Sequence, residues 1–172
     1  PRSHLFSWGK GRVLSEYQAL YIAQGEGEFE SAPSGRKKVP AGSAILLFPG
    51  VWHRYRPLPQ VGWDEYWVSY NGQHIQRLVE QGFFSPQDPV LKTGMDDLLL
   101  HAYLTLLDRL RAEPVGFQQF LAASVMEILA AVLGAVRAQG TGSDMHALVC
   151  QAKSLLETQT DATPAMERLA AS

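Results

Sequence analysis

The chain has 172 residues and a mass of 19.0 kDa, and 46% of its residues are hydrophobic against 19% charged. That length fits one domain, or one domain with an appendage, and the composition is that of a globular chain. A net charge of −2 leaves no strongly basic face and disfavours tight nucleic-acid binding by this piece.

A single cysteine, Cys150, excludes an internal disulfide framework and a cysteine-based structural zinc site, and fits a reducing compartment. The longest purely apolar run, Ile128 to Val136, is far short of a membrane span. No basic-then-apolar signal peptide opens the chain. A start at Pro1 rather than Met reads as a fragment. Residues 1–70 hold all four tryptophans and 12 of the 17 aromatics, with net charge +2, whereas residues 71–172 carry −4. The two halves therefore ask for different architectures.

The first half is punctuated by turn chemistry at Gly25-Glu26-Gly27, Pro33-Ser34-Gly35, Pro40-Ala41-Gly42 and Pro49-Gly50. Short aromatic and β-branched runs lie between these points. That rhythm predicts a small all-β barrel or sandwich with strands over 16–23, 28–31, 37–39, 43–48, 52–56 and 63–70. Beyond residue 70 the period lengthens. A short helix over 74–79 stops at Gly82. A second spans 95–111, capped by Thr93 with Asp96 and Asp97 in its first turn. A third spans 116–138, with an apolar stripe too wide for one neighbour. A fourth covers 144–157, and Thr163-Pro164 opens a fifth. Strands followed by helices predict an α+β domain.

The most specific stretch is Pro40 to Tyr55, PAGSAILLFPGVWHRY, a turn–strand–turn–strand unit. Upstream lies Tyr21 to Phe29, YIAQGEGEF, and downstream Trp63 to Gly72, WDEYWVSYNG. In this order and spacing the three segments resemble the amino-terminal effector-binding domain of AraC-type bacterial transcription regulators, and the resemblance covers essentially the whole chain. It implies a cupin-like barrel over 1–72, a helical dimerisation region over 73–142, and over 143–172 a linker with the truncated start of a helix-turn-helix domain. Thr163 to Ala170 looks like the early helix of that domain, although a plain terminal helix fits the same residues. Either way, no recognition helix is present to enter a major groove. The function implied is small-molecule sensing, with DNA reached only through a carboxy-terminal domain, homodimerisation through helices near 95–138, a cytoplasmic location and no membrane partner.

Cupin-like barrels often bind a metal through histidines and a glutamate that converge from neighbouring strands. Here the barrel half holds only His4 and His53, and Tyr55 stands where a second histidine would follow. No metal, cofactor or catalytic residue is therefore expected, and His53 reads either as a structural histidine or as a ligand contact. Gly25-Glu26-Gly27 is not followed by a helix and is no phosphate loop.

Alternation sorts the barrel strands. Trp63, Glu65 and Trp67 share one face of 63–70, opposite Asp64, Tyr66, Val68 and Tyr70. His53 and Tyr55 share a face opposite Trp52, Arg54 and Arg56. Gln18, Leu20 and Ile22 oppose Tyr17, Ala19 and Tyr21. A carboxylate between two tryptophans suits a sugar, whose C–H face stacks on indole while Glu65 accepts from hydroxyls. The competing reading puts Trp63 and Trp67 in the core and Glu65 at a solvated rim. The resemblance matches Tyr55 and Trp67 to sugar-contacting positions, and Arg12 to an arginine before the first long strand. Glu65 replaces a histidine, which argues for a different sugar. The expected ligand-binding set is Arg12, Gln18, His53, Tyr55, Trp63, Glu65 and Trp67. Two other classes stay open: a cupin-fold sugar isomerase, epimerase or metal-dependent enzyme, and a helical interaction module with a barrel that binds nothing.

Overall fold

A computed structural model describes residues 8–140. The chain divides after Arg137 into two units, and the packing described below is that of the first. The expected helices over 144–157 and from Thr163, with Cys150 and His146, lie outside the described residues, as does His4.

The organising element is β1 (Tyr17–Ser31), a 15-residue strand around which the others assemble. Its first part pairs antiparallel with β3 (Ser43–Leu47) on one side and β5 (Trp63–Tyr70) on the other. Its second part pairs with β2 (Gly35–Pro40) and β4 (His53–Pro57). A short β6 (Val90–Lys92) extends the sheet beyond β3. The result is a curled antiparallel half-barrel, followed by α1 (Gln73–Glu80), α2 (Asp97–Ala112) and α3 (Phe117–Gly140). This is the α+β class expected from the change of period.

Gly25-Glu26-Gly27 does not turn the chain, contrary to expectation; it lies inside β1. The register shifts between Ile22 and Gln24, and the strand then changes partners. Gly25 has φ 82°, and a Cβ there would run into the backbone of Gly62 and Trp63. A Cβ on Gly27 would collide with the Trp63 ring and the Arg56 carbonyl. Glycine is needed here for close approach and bending rather than for reversal.

The α2 cap also differs. Thr93 is buried, and its hydroxyl is committed to the Gly42 carbonyl at 3.0 Å. Asp96 takes the cap, accepting from the Leu99 amide at 2.9 Å.

Two cores result from strand alternation. Leu20, Ile22, Phe29, Val39, Ile45 and Leu47 fill the lumen side. On the other side Ala19, Tyr21, Leu46 and Phe48 pack against Leu99, Tyr103 and Leu106 of α2 and Ile128, Leu129 and Val132 of α3. Each fully buried aliphatic or aromatic side chain contributes about 1.5–3 kcal/mol. α3 is more apolar over its length than its longest uninterrupted apolar run, Ile128 to Val136, suggests. Phe117–Gln139 is long and apolar enough, by length and composition, to cross a membrane, although 28% of its most apolar stretch is buried against the rest of the chain. The remainder of that helix exposes apolar side chains, Phe120 and Met126 among them.

Candidate ligand-binding site

Three elements converge on the lumen. Arg12 precedes β1 and is tied to β4 by a pair of backbone bonds: its amide donates to the His53 carbonyl (2.8 Å), and the His53 amide donates back (2.9 Å). That bridge carries the guanidinium inward. Arg12 Nε donates to His53 Nε2 (3.2 Å), and one terminal nitrogen donates to Tyr55 Oη (2.8 Å) and Gln18 Oε1 (3.3 Å). The guanidinium carbon also lies 5.3 Å from the Tyr55 ring centroid. An arginine only donates, so His53 Nε2 is an acceptor and the ring proton sits on Nδ1, which faces the Val51 carbonyl at 3.0 Å. Gln18 in turn donates from Nε2 to Ser69 Oγ at 2.8 Å.

The aromatic wall follows the same alternation. The His53 and Tyr55 rings stack with centroids 6.3 Å apart, and Tyr55 lies 6.1 Å from Trp63. Burial pushes the Tyr55 phenol up to about 12; Glu65 adds to the rise, which places its carboxylate in the same electrostatic neighbourhood, and Arg12 opposes it. Trp67 is opposite Leu20 in the register and is 53% exposed, so it forms the rim rather than the floor. The lumen thus brings together Arg12, Gln18, His53 and Tyr55 through hydrogen bonds, with Trp63 and Glu65 beside them and Trp67 at the mouth. Ser69 belongs to the same network but was not in the expected set. Its parity with Trp63, Glu65 and Trp67 was the available signal.

The opposite face of the sheet is a charged lattice. Arg54 bonds Glu30 through Nε (2.9 Å) and a terminal nitrogen (2.6 Å), and it donates to the Trp8 carbonyl. Trp8 lies over Arg54 and Arg56. The chain entering β1 therefore grips β4 from outside through Trp8 and from inside through Arg12.

Burial holds the His53 imidazole below its ordinary value; the Val51 bond opposes this, and the Arg12 charge adds to the lowering. A lowered folded value means that the unfolded chain binds a proton first. The stability contributed by neutral His53 is full above about pH 6.5 and is lost as pH falls below it. Urea midpoints measured between pH 8 and 5 are expected to drop over this window for the wild type. His53→Asn, whose amide can still donate to Val51, is expected to flatten that limb. Parallel curves would contradict the assignment.

With Nδ1 committed to a carbonyl and Nε2 facing a guanidinium, His53 directs no lone pair at a metal. Among the described residues no group of three His, Cys, Asp or Glu side chains converges. The described residues do not fit a cupin-type metal centre.

A concavity of about 690 Å³ lies outside the barrel, between the end of β5, α1 and the facing sides of α2 and α3. Tyr70, Leu110, Leu121 and Val125 are among its walls, with Asn71 and His74 at one end. Its lining is mainly apolar, with Ser69, Asn71, Gln73 and His74 as its polar residues.

The model of the AraC-like ligand binding domain matches residues 4–133. The chain belongs to that family. The half-barrel is accordingly a cupin-like barrel, and the domain is a ligand-binding one, as the family's description states. No curated protein matches the chain significantly. Among solved structures, Streptomyces albus HEPD with 2-hydroxyethylphosphonate and Fe(II) bound is 18% identical over 79% of this chain, with a TM-score of 0.28. The chain spans only 34% of that protein's length.

Proposed function

We propose that this AraC-like domain is the effector-sensing and dimerisation part of a cytoplasmic transcription regulator. Its lumen takes a neutral sugar or sugar derivative, and it performs no catalysis. One observation carries the reading: a guanidinium, an amide, an imidazole and a phenol are hydrogen-bonded into one array beside the Trp63 ring, with Trp67 on the same face of β5. Arg12 and Glu65 supply one charge of each sign, which favours an uncharged polyhydroxylated ligand over an ion. Trp63, Tyr55 and Trp67 supply faces for its C–H surface, a few polar groups within an apolar pocket being the usual design of such sites. DNA is contacted by a separate carboxy-terminal domain, and effector binding shifts how that domain is presented through unequal affinity for two states.

A thermal-shift screen of neutral pentoses, hexoses and their phosphates tests this, with metal analysis of the same sample. A binder at a hundredfold excess over Kd stabilises by about 2.7 kcal/mol. Stabilisation by a neutral sugar is expected. Stabilisation only by a phosphorylated sugar, or a stoichiometric transition metal on His53, would contradict the reading.

The dimer reading rests on the exposed apolar residues of α2 and α3. Leu98, Leu104, Leu110, Phe120 and Met126 are all exposed, more large apolar surface than a lone domain usually shows on one helical pair. A two-fold association through these helices would cover part of that surface, since Leu98, Leu104 and Leu110, six residues apart, point to different sides of α2. Sedimentation at tens of micromolar is expected to give twice the 19.0 kDa chain mass, and Phe120→Glu to give the monomer. A wild-type monomer at that concentration would contradict it.

A further inference from the structure

Resting on the lumen reading above, we infer that Ser69 is a ligand-contacting, specificity-determining residue whose hydroxyl is held as a hydrogen-bond donor toward an oxygen of the bound molecule. Arg12 has donors and no acceptor, so Gln18 must turn its carbonyl oxygen to the guanidinium. The Gln18 amide nitrogen then faces Ser69 at 2.8 Å and donates to its oxygen. A hydroxyl that accepts through its oxygen still has its own proton to give. Ser69 lies directly opposite Gln18 in the β1–β5 register, on the lumen face of β5. It is exposed, whereas Gln18 is buried. Two residues before it on the same face stands Trp67, 53% exposed.

The charge on Arg12 thus fixes a polarity that runs Arg12 to Gln18 to Ser69 and ends on a hydroxyl at the mouth, next to an open indole face. A molecule stacked on Trp67 meets a donor at that point. The site therefore selects a ligand with an acceptor oxygen there and discriminates against its deoxy counterpart, because a hydrogen-bonding position rejects ligands that leave it unpaired. Neighbouring hydrogen bonds in such a chain polarise one another, so the Arg12 end strengthens donation at the Ser69 end.

The experiment uses neutral pentoses, hexoses and their monodeoxy derivatives as probes, with calorimetric titration of wild type, Ser69→Ala, Ser69→Thr and Trp67→Ala. Ser69→Ala is expected to weaken the best binder about five- to tenfold, the worth of one net hydrogen bond, and Ser69→Thr to stay within about twofold of wild type. One monodeoxy derivative should bind wild type more weakly and be indifferent to Ser69→Ala. In the ligand-free protein, NMR should find one Gln18 side-chain amide proton protected from exchange in wild type and unprotected in Ser69→Ala. If Ser69→Ala binds as wild type while Trp67→Ala loses affinity, the Ser69 inference is overturned and the lumen reading stands. If no probe binds wild type, or if both variants bind as wild type does, the lumen reading fails and this inference fails with it.

Discussion

Gly25→Ala is expected to destabilise the domain by about 3 kcal/mol or more, lowering Tm by roughly 6–12 °C. Two costs combine. The residue has φ 82°, which costs a side chain about 1–2 kcal/mol. The added methyl would also meet the Gly62 carbonyl and the Trp63 Cα, backbone atoms that cannot rotate away. Gly25 pairs directly with Trp63, so any relief unpicks the start of β5 and moves the tryptophan beside the lumen. Gly35 is the control. Its φ is 64°, but nothing lies within 4 Å of a Cβ built there, so Gly35→Ala should cost only about 1 kcal/mol. Denaturant midpoints of the two variants isolate the collision. Equal costs would mean that β1 does not pass β5 as closely as described.

Arg12→Met is the second substitution with a large expected effect, about 2–4 kcal/mol of stability together with most of the ligand affinity. Met keeps the apolar stem and removes the donors on which His53 Nε2, Gln18 Oε1 and Tyr55 Oη all draw. A buried acceptor left without its donor costs more than the bond itself was worth. Arg12→Lys should not rescue, because one ammonium cannot reproduce a fork reaching β4 and β1 together. The signature is titration of His53, measured by NMR. Loss of the guanidinium removes one cause of its lowered pKa, so the imidazole should protonate at higher pH in Arg12→Met than in wild type. An unchanged titration would show that Arg12 does not face His53.

The parts of this fold that were legible in the sequence obey a strict period. On β5 the two-residue alternation sends Trp63, Glu65 and Trp67 to one face and Tyr66, Val68 and Tyr70 to the other. The core follows it: Trp63 packs with the lumen cluster, while Tyr66, Val68 and Tyr70 pack toward the helices. The described helices follow the 3.6 period, with ends displaced by one or two residues. What was not legible depends on distant partners. A glycine pair reads equally as a turn or as a strand passing close to another backbone, and only the later position of Gly62 and Trp63 decides. Thr93 and Asp96 are both good capping residues, and the Gly42 carbonyl, 51 residues away, claims Thr93. Val90-Leu91-Lys92 is too short for any periodicity, and it becomes β6 because β3 offers an edge. Arg12 enters the site through an isolated bridge to β4, which no local pattern announces. Ser69 differs from these: its parity with Trp63, Glu65 and Trp67 already places it on the lumen face, opposite Gln18.

The central claim is that the small molecule binds in the barrel lumen and not in the apolar groove beside the helices. Calorimetric titration of the best-stabilising sugar into three proteins tests it most directly: wild type, Trp67→Ala at the lumen mouth, and Leu110→Ser in the groove wall. Loss of the stacking face in Trp67→Ala should weaken binding by about 1–2 kcal/mol, somewhat less than a fully buried side chain would contribute. Leu110→Ser should bind as wild type does. Unchanged affinity in Trp67→Ala with weakened binding in Leu110→Ser would place the ligand among the helices and contradict the account.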